Sequence, residues 1–259
     1  MNSFSRHPLR TIFAVMLLGT SWSAAAGGPP YNTDDPEPVD FHHWEVYFAS
    51  IYSHTPGLVS GTLPHFEVNY GAAPNLQLHI IGPLAYNDPV GGTTAYGYGD
   101  TELGLKYRFV QEGKRTPMIG VFPLVEAPTG SSSRGLGSGQ TRVFLPVWLQ
   151  KSFGNGWQTY GGGGYWINPG AGNRNYWFGG YQLQNQVTKQ LSIGGEVFHL
   201  TAATIGGEQE TGFNVGAVYD MDEGHHLMFS VGRDVQGTTG LAAYAAFQWT
   251  FGPKEAEKK

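Results

Sequence analysis

Cysteine is absent from the 259 residues. No disulfide can therefore staple the fold, and no thiolate can serve as nucleophile or soft metal ligand. An exported enzyme of this length often relies on disulfides, so the absence weighs against that class. Charge is also scarce: Asp, Glu, Lys and Arg make up 14% of the chain, with a net charge of −5. That balance excludes the basic stripe that nucleic-acid binding requires. Long apolar runs are missing too, and no stretch approaches the ~20 residues of a membrane-spanning helix. What is abundant is glycine, at 39 residues, and aromatic side chains, at 14%. Few charges with many Gly, Tyr, Trp and Phe suit a transmembrane β-barrel, whose strands need only every second residue to be apolar.

The first residues read as an export signal. Arg6 and Arg10 supply a basic start, residues 11–20 a short apolar run, and Ser23, Ala24, Ala25 and Ala26 the small residues of a cleavage site. The expected organisation is a cleaved signal peptide over 1–26, a Pro-rich arm over 27–42, a barrel over 43–252 and a charged tail over 253–259. No Cys follows Ala26 to carry a lipid. The arm holds Pro29, Pro30, Pro36 and Pro38 with Asp34, Asp35 and Glu37. Each Pro removes a backbone donor and restrains its predecessor, so the arm is neither helix nor central strand. Its acidic residues are candidates for a plug folded into the lumen, the other option being a tether outside it.

Beyond the arm the pattern has a period of two. Thr101, Leu103, Leu105, Tyr107 and Phe109 alternate with Glu102, Gly104, Lys106 and Arg108. A helix would scatter those charges around its circumference, whereas a strand puts them on one face. The same alternation recurs around Glu45, Glu67, Glu196 and Asp220, and Val143, Leu145, Val147 and Leu149 share a face. Residues 118–126 and 157–167 are blurred by Pro123 and by Gly161 to Gly164. About twelve strands result, starting near His43, Gly61, Asn75, Asp100, Thr116, Thr141, Gly156, Asn175, Gln190, Thr211, His225 and Gly240. Twelve is even, and ten to twelve residues each is the length of a tilted membrane strand.

Links between strands alternate in length. Residues 71–74, 111–115, 154–155, 188–189 and 221–224 are short; 87–99, 128–140, 168–174 and 203–210 are long. That rhythm matches periplasmic turns and extracellular loops, with both termini periplasmic. The expected fold is thus an all-β, antiparallel up-and-down transmembrane barrel. Its apolar face meets lipid, and Trp44, Tyr70, Tyr107, Trp157, Tyr219 and Trp249 fall at strand ends, where aromatic girdles belong. The opposite face makes Glu45, Glu67, Glu102, Lys106, Arg108, Arg142, Glu196 and Asp220 candidates to line the lumen. Glu102 and Lys106 can pair within one strand or form a charged constriction for a solute.

Catalytic and cofactor motifs are not found. Residues 135–141 (GLGSGQT) lack the Gly-Lys-Ser/Thr ending of a phosphate loop and precede a strand. No G-x-S-x-G elbow occurs, and no His closely precedes a Ser-Asn-Gly as in outer-membrane phospholipases. His42, His43, His225 and His226 would start strands on one rim, but without ligand spacing they read as residues of a wet interface rather than a metal site. Asp34 and Asp35 read as a solvated acidic pair before a calcium site.

Residues 97–109 (GYGDTELGLKYRF) resemble the signature strand of the exported transporter family grouped with the MetA-pathway phenol-degradation proteins. The arm at 29–39, His43-Trp44-Glu45 and residues 123–130 (PLVEAPTG) resemble the mature start and strand–loop style of the same family. The resemblance spans essentially the whole mature chain. It implies a Gram-negative outer-membrane barrel that passes small aromatic or hydrophobic solutes and is not an enzyme. The expected partners are the lipid bilayer, the outer-membrane assembly machinery and a small solute, with no cofactor and no nucleic acid. The alternatives are a structural or adhesive barrel acting through its extracellular loops, and a soluble exported ligand-binding barrel.

Overall fold

The computed structural model describes residues 28–238 and 240–253. The expected signal peptide and most of the charged tail lie outside the described residues. Fourteen strands form one antiparallel sheet closed on itself. They are β1 (Trp44–Thr55), β2 (Leu58–Ala73), β3 (Leu76–Pro89), β4 (Ala95–Tyr98), β5 (Thr101–Val110), β6 (Met118–Val121) and β7 (Leu124–Ala127). The second half comprises β8 (Arg142–Ser152), β9 (Trp157–Ile167), β10 (Tyr176–Gln186), β11 (Leu191–Leu200), β12 (Glu210–Asp220), β13 (His225–Gln236) and β14 (Leu241–Phe251).

Two pairs of strands are each one stave of the barrel. β4 and β5 follow each other along β3, opposite residues 84–87 and 76–81 respectively. β6 and β7 follow each other along β5 and β8, interrupted at Phe122 and Pro123. Pro123 has no N–H for the ladder, which explains the break and the blurred pattern there. The fold is therefore a twelve-stave barrel. It closes between β1 and β14, in register from Trp44 opposite Phe251 to His54 opposite Leu241. Closure removes the sheet edges whose unpaired backbone groups no apolar surroundings could satisfy.

The connections depart from a strict short–long rhythm. The rim that carries both chain ends has tight turns, as at Asn75, where φ is 68° and asparagine tolerates the left-handed region. On the opposite rim, however, β1 and β2 are joined through Pro56 and Gly57 alone, Gly57 taking φ of 88°. Residues 87–99, expected as a loop, are mostly strand, because β3 runs on to Pro89 and pairs with β4. Tyr86 opposite Tyr96 and Leu84 opposite Tyr98 keep that hairpin extended above the barrel wall.

The outward face is apolar. Phe48, Phe66, Leu78, Ile80, Leu103, Leu105, Leu145, Val147 and Val231 are all exposed around the circumference. At the rim bearing the chain ends, Trp44 packs on Tyr70 with ring centroids 4.3 Å apart, and Trp249 on Phe251 at 4.4 Å. Polar side chains instead fill the inside, where Glu67, Asn69, Gln77, His79, Glu102, Lys106 and Gln182 are buried. This inverts the arrangement of a water-soluble barrel, and a belt of exposed apolar side chains this wide is stable only against an apolar medium.

Candidate functional site

The interior of the barrel is occupied by the N-terminal arm. Residues 28–42 do not hang from the rim; they run around the inside wall, touching nearly every stave in turn. Near the rim, Phe41 bridges to Gly71 of β2, and Val39 donates its N–H to Gln77 Oε1 of β3 at 2.9 Å. Pro36 packs over Gly120 of β6, and Glu37 meets Arg108 of β5 and Gln150 of β8. Further in, Asp34 Oδ1 accepts from Lys106 Nζ of β5 at 3.0 Å, with Asp35 at 3.5 Å from the same ammonium. Asn32 and Thr33 then reach Glu196 of β11, and the Pro30 carbonyl accepts from Ser230 Oγ of β13.

Proline explains why this segment can lie there. A buried backbone donor without a partner costs about 1–3 kcal/mol, and each Pro has none to satisfy. Inward side chains meet three of the remaining N–H groups, Asn32 and Thr33 through Glu196 and Val39 through Gln77, and the arm itself meets those of Tyr31, Asp35 and Glu37. The wall is also carved to fit. A Cβ added to Gly180 of β10 would stand 2.2 Å from Thr33 Oγ1, so only glycine leaves room for the arm there.

The expected lumen candidates all turn inward or sit at a rim, but their partners were not legible. Glu102 does not pair with Lys106 along β5. Lys106 is taken by Asp34 and Asp35 of the arm, while Glu102 lies 3.0 Å from His79 Nε2. Glu196 holds the arm; Arg142 pairs with Glu126 of β7, and Arg108 with Glu37. Glu67 accepts from Asn69 at 2.8 Å, and Glu45 from Tyr47 at 3.1 Å. Asp220 sits at the rim, 2.7 Å from His226 Nδ1. The four rim histidines do not converge. His225 bonds Asp222, His226 bonds Asp220, and His43 lies against the Phe41 carbonyl.

One sector of the wall corrects the expectation of a uniformly polar interior. Phe122, Leu124, Phe144, Trp148, Trp166, Tyr176, Phe178 and Phe198 form a buried aromatic cluster on the inner face of β7 to β11. Phe144 and Trp166 stack with centroids 4.8 Å apart, and the Arg142 guanidinium lies over Trp166 at 5.2 Å. The signal lay in residues 142–150, where Phe144 and Trp148 alternate in phase with Arg142 and Gln150. That strand is apolar on both faces, which marks a wall packed on both sides. Glu126 and Gln150 are further interior residues that sequence reasoning missed, while His79 faces inward as its alternation with Leu78 and Ile80 implies.

Between the arm and the opposite wall a chamber of about 450 Å³ remains. It is bounded by the arm and mainly by β1, β2, β3, β13 and β14, with β5, β8, β9 and β12 each contributing a residue or two; Glu45, Tyr47, Glu67, His79, Tyr244 and Gln248 are among its walls. At the rim opposite the chain ends, the loop over residues 128–141 folds onto the wall. Asp100 accepts from the N–H groups of Gly130 and Ser138 and from Ser138 Oγ, and Leu136 is buried beneath.

Comparison with solved structures finds the same architecture. An outer membrane channel from Pseudomonas putida F1 superposes with a TM-score of 0.71 at 16% identity, over 84% of this chain and 98% of that one. The KdgM porin gives 0.56 at 11% identity, over 80% and 99%. The translocator domain of the autotransporter NalP from Neisseria meningitidis gives 0.54 at 7% identity, over 82% and 90%. At these identities the likeness carries the fold. No family model matches the sequence, and no curated protein matches it.

Proposed function

We propose that this chain is an outer-membrane channel for small solutes, exported with a cleaved signal peptide and narrowed from within by its own N-terminal arm. The observation that carries the reading is the chamber itself: a polar space of about 450 Å³ inside a closed barrel whose outward face is apolar. Barrels of the same architecture, the Pseudomonas putida channel and the KdgM porin, support it. The arm is a plug held by side chains rather than by a strand of the sheet, so it can leave without opening the barrel. The interior then supplies passage and selection, not bond chemistry, and no enzymatic role is assigned.

For the substrate, the likeness of residues 97–109 to the MetA-pathway family favours small aromatic or hydrophobic solutes, and Phe122 is the member of the aromatic sector that reaches the chamber. The adhesive alternative is weaker, because the longest loop on the distal rim is bonded down onto Asp100 rather than offered outward. Planar-bilayer conductance of the mature chain, with and without residues 27–40, tests the reading. We expect small currents from the full chain and a several-fold larger conductance once the arm is removed. No current and no solute uptake from either form would overturn it.

A further inference from the structure

The chamber is not neutral. Seven carboxylates line it, three from the wall and four from the arm, against one lysine and two histidines. The lysine is already spent, because Lys106 lies against Asp34 and Asp35. Arg108 and Arg142 face Glu37 and Glu126. The arm therefore narrows the lumen and also neutralises Lys106 and Arg108, while Arg142 is met by the wall's own Glu126. Wall carboxylates Glu45 and Glu67 then face the chamber with hydrogen bonds from the neutral donors of Tyr47 and Asn69, and His79 Nδ1 lies 3.6 Å from Glu67 Oε1.

Two further polar groups are left without partners. The Tyr244 hydroxyl is buried and unbonded, and so is Oε1 of Gln150, a side chain that is 4% exposed. Both residues line the chamber. An unmet acceptor and, among the described residues, two carboxylates with no lysine or arginine paired to them call for a ligand that brings positive charge and N–H donors. A bare metal ion fits poorly. Among the described residues no three His, Cys, Asp or Glu side chains converge as a metal site would need. The negative charge is instead spread over a wide space with the tyrosines 47 and 244 beside it, and aromatic faces favour weakly hydrated ammonium groups over strongly hydrated ions.

We infer that the chamber recognises a small organic cation, its ammonium group drawn to Glu45 and Glu67 and its apolar part to the adjoining aromatic side chains such as Phe122. This names the substrate class of the proposed channel, and only the passage of the cation, not its binding, rests on that reading. Calorimetric titration of the detergent-solubilised mature protein with benzylammonium chloride, which carries N–H donors and an apolar ring, tests it, alongside Glu45→Gln/Glu67→Gln. Both substitutions keep shape, and retention of heat-modifiable migration confirms the barrel. We expect saturable binding to the parent and a loss of roughly tenfold or more in the variant, as for one charge-assisted contact removed. In a potassium chloride gradient the parent should favour potassium over chloride and the variant should lose that preference. Binding without current would support the chamber and remove the channel. No binding, tighter binding of magnesium than of benzylammonium, or a variant indistinguishable from the parent would overturn the inference.

Discussion

Thr33 donates both its backbone N–H and its hydroxyl to Oε2 of Glu196, each at 2.7 Å, across 163 positions of sequence. Asn32 adds its N–H to the other oxygen, at 2.7 Å, and Asn214 its side-chain amide. One buried carboxylate thus satisfies four donors and pins the deepest part of the arm to β11.

Glu196→Gln replaces one of those oxygens with an amide that faces donors. Hydrogen bonds to a charged acceptor contribute about 1.5–3 kcal/mol each, so the arm should loosen by a few kcal/mol. The expected outcome is faster cleavage within residues 28–40 under limited proteolysis and noisier, larger currents, with the barrel itself intact on gels. Unchanged cleavage and conductance would mean that Glu196 does not hold the arm.

Lys106 and Asp34 form a buried pair 3.0 Å apart. Lys106→Met leaves Asp34 buried without its cation, a loss of about 3–5 kcal/mol when the group cannot reach water. Adding Asp34→Asn removes the stranded charge and should recover most of the thermal stability in detergent. If the double variant melts no higher than Lys106→Met alone, the two side chains are not coupled.

Face assignment on β5 can be checked with two neighbours. Leu105 points outward and Glu102 inward, 39% and 6% exposed. Leu105→Arg should impair insertion into vesicles, since arginine on the lipid face near mid-depth costs about 2–4 kcal/mol. Glu102→Gln should insert normally. Equal insertion yields for the two variants would refute the orientation.

Acid should weaken the rim that carries the chain ends. Partial burial raises the Glu112 carboxyl, but bonds from Lys151 Nζ and from the N–H and hydroxyl of Ser152 outweigh it and hold the group below its ordinary value of 4.5. A carboxyl depressed in the folded state stabilises above its unfolded value and loses that contribution as pH falls through the folded one. The side chain is 20% exposed at the rim, where water screens the pair in part, so Glu112→Gln should cost about 1 kcal/mol at neutral pH. Melting curves of parent and variant should converge in acid; a gap that persisted below the carboxylate range would contradict the assignment.

Much of this architecture is legible in local pattern. The alternation of Leu103, Leu105 and Tyr107 with Glu102, Lys106 and Arg108 gives strand, period and face at once, because a pleated backbone sends successive side chains to opposite sides. Repeated through the chain, it yields twelve staves with starts within a few residues of those observed, Asp100 excepted, where a short hairpin strand lies ahead. Phe144 and Trp148 were harder. They share a phase with Arg142 and Gln150, and nothing local says that an inward face is to be packed rather than wetted.

By itself, the sequence determined the closed antiparallel barrel, its apolar exterior and its polar interior, since these follow from spacings of two residues and from turn chemistry. Only the tertiary structure decided that the arm lies inside, that Lys106 answers Asp34 rather than Glu102, and that Glu45 and Glu67 are left facing an acidic chamber. Those relationships join positions tens to more than a hundred residues apart. They depend on which side chains meet across the lumen when the barrel closes, and no periodicity along the chain records that.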